Sequence, residues 1–253
     1  MKIKLLDRKS LKQLFSAGAR PKESNFASLI DSMINKIEDG ISKTPEDGLM
    51  LSPEGKESDN LISFYNNIEN ERAEWSIALN QNDDNGLSIL TPMEEDEGLT
   101  AMYFQKSGAI GMGTKYPRTK VEVQGTLGME SRVGTYALGT VKANGQWHDI
   151  LENLNGCVAF EVLAQVGKKK SGKYALLHAH ALSTFGKSRH KIRRTQAHYG
   201  CFWNKIAIRF KGSTYDYKLQ LKTRSNYGEG QEIRFHITKL WDTDTLNLFT
   251  EKE

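Results

Sequence analysis

The sequence predicts a mainly β protein with a short amphipathic helix near its N-terminus. Three observations carry that expectation. Short runs that alternate apolar and polar residues recur along most of the chain. Clusters of Asn, Asp and Gly separate them at spacings of about 8–12 residues, as in β meanders and sandwiches. Helical periodicity is confined to the region before Gly40.

The helix comes first. After Leu11, Leu14 and Phe15, the stretch Gly18-Ala-Arg-Pro21 is a break. Ser24 or Asn25 is a good N-cap for a helix expected to run to about Asp39, with Gly40 as its stop. Phe26, Ile30, Met33 and Ile37 form an a/d seam, widened by Leu29 and Ile34. Such a seam of about two heptads is too short to hold a coiled coil alone. It either packs on its own domain or joins identical chains.

From Asp47 to Gly125 the chain reads as short strands and turns. Gly48-Leu-Met-Leu, Leu61-Ile-Ser-Phe-Tyr, Glu74-Trp-Ser-Ile-Ala-Leu, Leu87-Ser-Ile-Leu and Leu99-Thr-Ala-Met-Tyr-Phe are the strand candidates, with turns at Asn82–Gly86 and Glu94–Gly98. A Gly-rich stretch follows, with Gly108, Gly111, Gly113 and Pro117 ahead of the alternating Lys120-Val-Glu-Val-Gln. Glycines this dense let backbones approach closely and take positive φ.

A third part, 131–242, reads as a jelly-roll-like β-sandwich head, with 243–253 as a tail. Strands are expected at Arg132–Val141, Cys157–Val166, Tyr174–Ser183, Lys205–Phe210, Asp216–Arg224 and Glu232–Lys239. Cys157 and Cys201, the two cysteines, fall in apolar runs and are expected as buried free thiols. The domains expected are thus 1–45, 46–130 and 131–242, followed by the tail.

Composition narrows the function classes. The 253 residues contain no apolar run long enough to span a membrane, and the start lacks the apolar core of a secretory signal. The expected route is synthesis and assembly in the cytoplasm, with function in a virion-like or extracellular particle. A net charge of +4 hides an asymmetry: 16 acidic against 3 basic residues from Glu38 to Glu97, but 15 basic against 1 acidic from Lys168 to Arg224. Opposite signs on two parts favour attraction between neighbouring copies or to an assembly.

No enzyme motif stands out, and no catalytic residue, cofactor or metal is expected. Gly186-Lys-Ser188 lacks the upstream glycine of a phosphate loop, and no Gly-x-Ser-x-Gly occurs. His178-x-His180 has a spacing that can bind zinc, with His148, His198, His236 or a cysteine as third donor, but no supporting motif accompanies it. Histidines satisfied within the sandwich are the expectation. The best binding surface is basic: Lys168, Lys169 and Lys170, then Lys187, Arg189, Lys191, Arg193 and Arg194, expected in two neighbouring loops, with the aromatics Tyr199 and Trp203 beside them. An acidic neighbouring subunit, an acidic glycan or envelope polymer, and plain solvation are the three readings weighed. Nucleic acid fits poorly with the acidic first half.

The segment Ala109 to Gly125, with its Gly-x-Gly-Thr, proline and Val-x-Val-x-Gly order, resembles the connector of phage tail fibres and related trimeric adhesins. Phe15-Ser-Ala-Gly-Ala-Arg-Pro with Phe26-Ala-x-Leu-Ile-Asp-Ser is similar to the attachment segment of some tail-fibre-like proteins. This resemblance implies a structural component of a phage tail-like contractile particle, a short trimeric fibre or baseplate-decorating protein that contacts other tail or baseplate proteins. Phe26, Ile30, Met33, Ile37, Gly111 and Gly113 would then serve the homotrimer. The alternative is a carbohydrate-binding adhesin acting on a cell surface.

Overall fold

Side chains that alternate between two environments need a sheet to separate them, and in the computed structural model strand outweighs helix 47% to 8% among the described residues, a mainly β protein. The structure describes residues 6–35, 39–53, 60–80, 86–91, 99–167 and 169–241. The chain divides into two compact units, Met1–Leu127 and Gly128–Glu253.

The first unit opens with helices α1 (Arg8–Leu14) and α2 (Glu23–Asp31). Asp7 caps α1, its carboxylate accepting from the Ser10 N–H at 2.7 Å. Helix α2 starts slightly earlier than expected, with Lys22 as N-cap and the Asn25 side chain reaching back to the Lys22 N–H at 2.8 Å. It also ends well short of Asp39, at Asp31. At that end Ser32 Oγ bonds the Ser28 carbonyl at 2.6 Å, and the Ser32 and Met33 N–H groups bond the Leu29 and Ile30 carbonyls, so the last helical acceptors are satisfied in a tightened turn. Met33 and Ile34 therefore lie past the helix, and the seam is cut to Phe26 and Ile30. Ile37 lies outside the described residues. Neither helix buries a residue, although Phe15 and Phe26 meet edge to face at 5.3 Å.

Strands β1 (Ile41–Thr44) and β2 (Gly48–Leu51) make a hairpin. Six further strands form one sheet in sequence order: β3 (Asn60–Phe64), β4 (Trp75–Asn80), β5 (Gly86–Thr91), β6 (Leu99–Phe104), β7 (Ile110–Met112) and β8 (Val121–Val123). The pairs are antiparallel until β7 and β8, which run parallel. Gly111 and Gly113 serve the crossing between them within this chain. A side chain on Gly111 would run into the Thr114 carbonyl, and Gly113 turns with φ +74°.

Register sorts this sheet into two unlike faces. Phe64↔Trp75, Ile62↔Ile77, Ile77↔Ile89, Leu79↔Leu87, Ile89↔Met102, Met102↔Met112, Phe104↔Ile110 and Ile110↔Val121 stand opposite one another, so a continuous apolar face crosses all six strands. The other face carries small or polar residues such as Ser63, Ser76, Ala78 and Ser88, with Tyr103 lying over Gly86. Burial follows the small face: Ala78, Ser88 and Tyr103 are buried, whereas Phe64, Trp75 and Val121 on the apolar face are 50%, 47% and 56% exposed.

The second unit is a two-sheet sandwich. Its strands are β9 (Ala137–Lys142), β10 (His148–Leu154), β11 (Val158–Gly167), β12 (Tyr174–Ser183), β13 (Lys191–Tyr199), β14 (Ile206–Gly212), β15 (Tyr217–Thr223) and β16 (Glu232–Lys239). One sheet has the order β13-β12-β11-β16-β9, the other β10-β15-β14. The inward residues of both sheets, among them Phe160, Val162, Leu177, Ile208, Leu219, Leu221, Ile233 and Ile237, form one core. Tyr217 is fully buried and donates its hydroxyl to the Gly156 carbonyl at 2.8 Å, which ties the β10–β11 turn to the core. The sandwich fits the expected mainly β head, and within it β11, β12 and β13 run as a meander in one sheet. Two strands went unforeseen, β10 and β13. Cys157 and Cys201 lie outside the strands, free and exposed rather than buried.

Candidate functional site on the outer face of the five-stranded sheet

Alternation along β12 sends Ala175, Leu177, Ala179 and Ala181 into the core and Tyr174, Leu176, His178, His180 and Leu182 outward. Strand β11 adds Glu161, Leu163 and Gln165 to that outer face, and β13 adds Lys191, Arg193, Thr195, Ala197 and Tyr199, as the pairs Glu161↔His180, His180↔Arg193 and Tyr174↔Tyr199 fix.

Glu161 is the centre of this face. Only 6% exposed, it holds three partners: Arg132 Nη2 at 2.5 Å on Oε2, His178 Nε2 at 2.9 Å on Oε1, and His180 Nε2 at 4.0 Å from the same oxygen. Burial pushes the Glu161 carboxyl up, but the hydrogen bonds from His178 and Arg132 and their charges outweigh it and leave the group below its usual value. The two imidazole rings meet edge to face at 5.0 Å. His236 lies on the next strand, opposite Leu163, and its Nδ1 accepts from the Gly134 N–H at 3.1 Å. Both His178 and His180 thus stand on the solvent side of the sheet, not inside the sandwich, with their side chains 44% and 50% exposed. The donor that joins them is Glu161, rather than His148, His198, His236 or a cysteine.

The basic residues are placed differently from expectation. Lys169 and Lys170 sit exposed in the β11–β12 turn, while Lys187 and Arg189 sit exposed in the β12–β13 connection. These lie at opposite ends of β12, a span of roughly 30 Å for ten extended residues. Lys168 lies outside the described residues. Lys191, Arg193 and Arg194 belong to strand β13 and not to a loop. Successive residues face opposite ways, so Arg193 shares the outer face with His180 while Arg194 pairs with Ala179 on the other side. Tyr199 and Trp203 fall at the Lys169–Lys170 end and are 67% and 59% exposed. There Phe202 stacks edge to face on Trp203 at 5.6 Å, and Lys205 Nζ rests 4.1 Å over the Phe202 ring. Buried Asn204 pins this aromatic loop by donating to the Tyr199 carbonyl at 3.0 Å and accepting from Ser225 Oγ at 3.1 Å.

A second polar cluster covers the outer face of the three-stranded sheet. The Arg209 guanidinium stacks 4.0 Å over Trp147 and donates to Gln220 at 2.8 Å. Gln220 and Lys218 in turn donate to Asp149 at 2.6 and 2.8 Å. Lys218, first, and Gln220 hold the Asp149 carboxyl below its usual value.

Sequence reasoning missed Glu161 and Arg132. Their link to the histidines runs across strands, but a signal existed: a hairpin symmetric about the turn at 169–172 pairs 161 with 180. No described helix is long and apolar enough to cross a membrane. The chain matches no protein-family model, and no curated protein matches it.

Proposed function

We propose that this chain is a structural, self-assembling component of a phage tail-like contractile particle, a short trimeric fibre or a baseplate-decorating protein. One observation carries the reading. The six-stranded sheet of the first unit presents a continuous apolar face whose Phe64, Trp75, Met112 and Val121 stay exposed, and neither helix buries a residue. A sheet with one apolar face must cover it, and further copies of the same chain are the occupant. Their connectors Ala109–Gly125 would then lie around a common axis, as the resemblance of that segment to tail-fibre connectors implies. The acidic stretch Glu38–Glu97 and the basic stretch Lys168–Arg224 give such copies, or other tail and baseplate proteins, complementary charge.

The test is the mass in solution. Light scattering of the full chain should return about 85 kDa, three chains of 28.5 kDa. A single-chain mass at micromolar concentration refutes the reading. Contact through the basic surface is checked by reversing Arg189, Arg193 and Arg194 to Glu. Capture of acidic particle components should then fail, and salt should weaken the unaltered chain's capture steeply.

A second reading, a carbohydrate-binding adhesin, is favoured by the exposed aromatics Tyr199, Phe202 and Trp203 beside Lys205. Exposed rings suit stacking against sugars, with a cation to hold an acidic group. Trp203→Ala should then abolish retention on immobilised glycans without changing the mass of the assembly.

A further inference from the structure

The β11–β12 register brings two imidazoles and one carboxylate to a single point on the outer sheet face, and this juxtaposition does something that neither the core nor the assembly surface requires. We propose that Glu161, His178 and His180 form a binding site for a divalent transition-metal ion of the zinc class. Each of the three side chains offers one candidate ligand atom, and these atoms lie within 4.8 Å of one another. An ion with bonds of about 2.1 Å needs its donors roughly 3–3.5 Å apart. The His178–Glu161 separation of 2.9 Å is already close to that, and a modest turn of the half-exposed His180 ring closes its 4.0 Å.

The surroundings suit the role. Glu161 is buried and fixed on its strand, and Arg132 occupies Oε2, which leaves Oε1 aimed at the histidines. A ligating carboxylate is commonly held in this way by a partner on its other oxygen. The half-exposed rings leave the remaining coordination positions to water or to a donor from outside the chain. Two nitrogens and one oxygen select zinc, nickel, copper or cobalt over magnesium and calcium, which prefer all-oxygen sets. The Arg132 charge beside the carboxylate, and Arg193 opposite His180, oppose the cation. The affinity is therefore lower than that of an enclosed structural zinc site, and magnesium does not compete.

The experiment is equilibrium dialysis of the chelator-stripped full chain against zinc chloride, with bound metal measured by atomic emission. Wild-type chain should take up about one zinc per chain. His178→Ala, His180→Ala and Glu161→Gln should each weaken uptake by about tenfold or more, with circular dichroism matching the wild type. A wild-type chain that stays metal-free at equimolar zinc overturns the proposal, and so do variants that bind as well as the original. The imidazole resonances of the unaltered chain give an answer that needs no variant to fold. Zinc should move the ring signals of His178 and His180 and leave those of His148 and His198 in place. Movement confined to the other histidines refutes the site.

Discussion

Replacing Trp75 with Ala asks directly whether the apolar face of the six-stranded sheet is an assembly surface. Trp75 stands opposite Phe64, and in the single chain the two are 47% and 50% exposed. A large aromatic covers about 150–250 Å² when buried, so roughly 100 Å² of Trp75 remains for a partner to cover. At about 25 cal/mol per Å² that area contributes about 2.5 kcal/mol per chain, which is roughly a 60-fold change in an equilibrium constant. The covered half of the ring contributes a similar amount to the sheet itself. Far-ultraviolet circular dichroism must therefore show that strand content survives the change. Sedimentation equilibrium over a dilution series is the assay. The wild-type assembly should persist to dilutions at which Trp75→Ala has fallen to the 28.5 kDa chain. Equal dissociation of the two proteins on dilution would refute the reasoning.

The other predictions concern the two units separately. Leu219→Ala, at a fully buried position of β15 facing Leu151 and Phe210, should cost about 2–5 kcal/mol in a urea titration of the sandwich. Gly111→Ala should destabilise the first unit and speed proteolysis at the connector, because its methyl meets the Thr114 carbonyl, whereas Gly128→Ala, with open space around it, should do neither. Asp149 has a carboxyl pKa lowered in the folded chain from 3.8, so its contribution is whole above that value and is lost as pH falls through the lower folded one. Asp149→Asn should reduce stability at neutral pH and flatten the acid limb of a stability–pH profile.

The parts of the fold that alternate cleanly between core and solvent were the legible ones. Strands β12 and β16 have the expected limits because Leu177, Ile233 and Ile237 fill one face without interruption. Strand β13 was hidden because it ends its sheet and both its faces are wet. Lys191, Arg193 and Arg194 give no apolar period to read, and of the inward-facing Ile192, Arg194, Gln196 and His198 only Ile192 and Gln196 are partly buried. Strand β10 was obscured by Asp149 and Glu152, which serve Lys218 on the outer face. The early end of α2 leaves no mark in the apolar seam, which runs on through Met33 and Ile34. As for the site, His178 and His180 were visible as a pair, but Glu161 joins them across a register that only strand pairing defines.

The position of β13 at the end of its sheet has a consequence for how copies of the chain can meet. An end strand offers free backbone donors and acceptors to any other strand it meets, and chains that stack through such strands grow without limit. Here that strand carries Lys191, Arg193 and Arg194, so two copies approaching through it repel one another. Growth through β13 is therefore opposed, which complements the association proposed for the uncharged apolar face of the first unit. Neutralising those three side chains should therefore promote precipitation, and raising the salt should do the same more gradually.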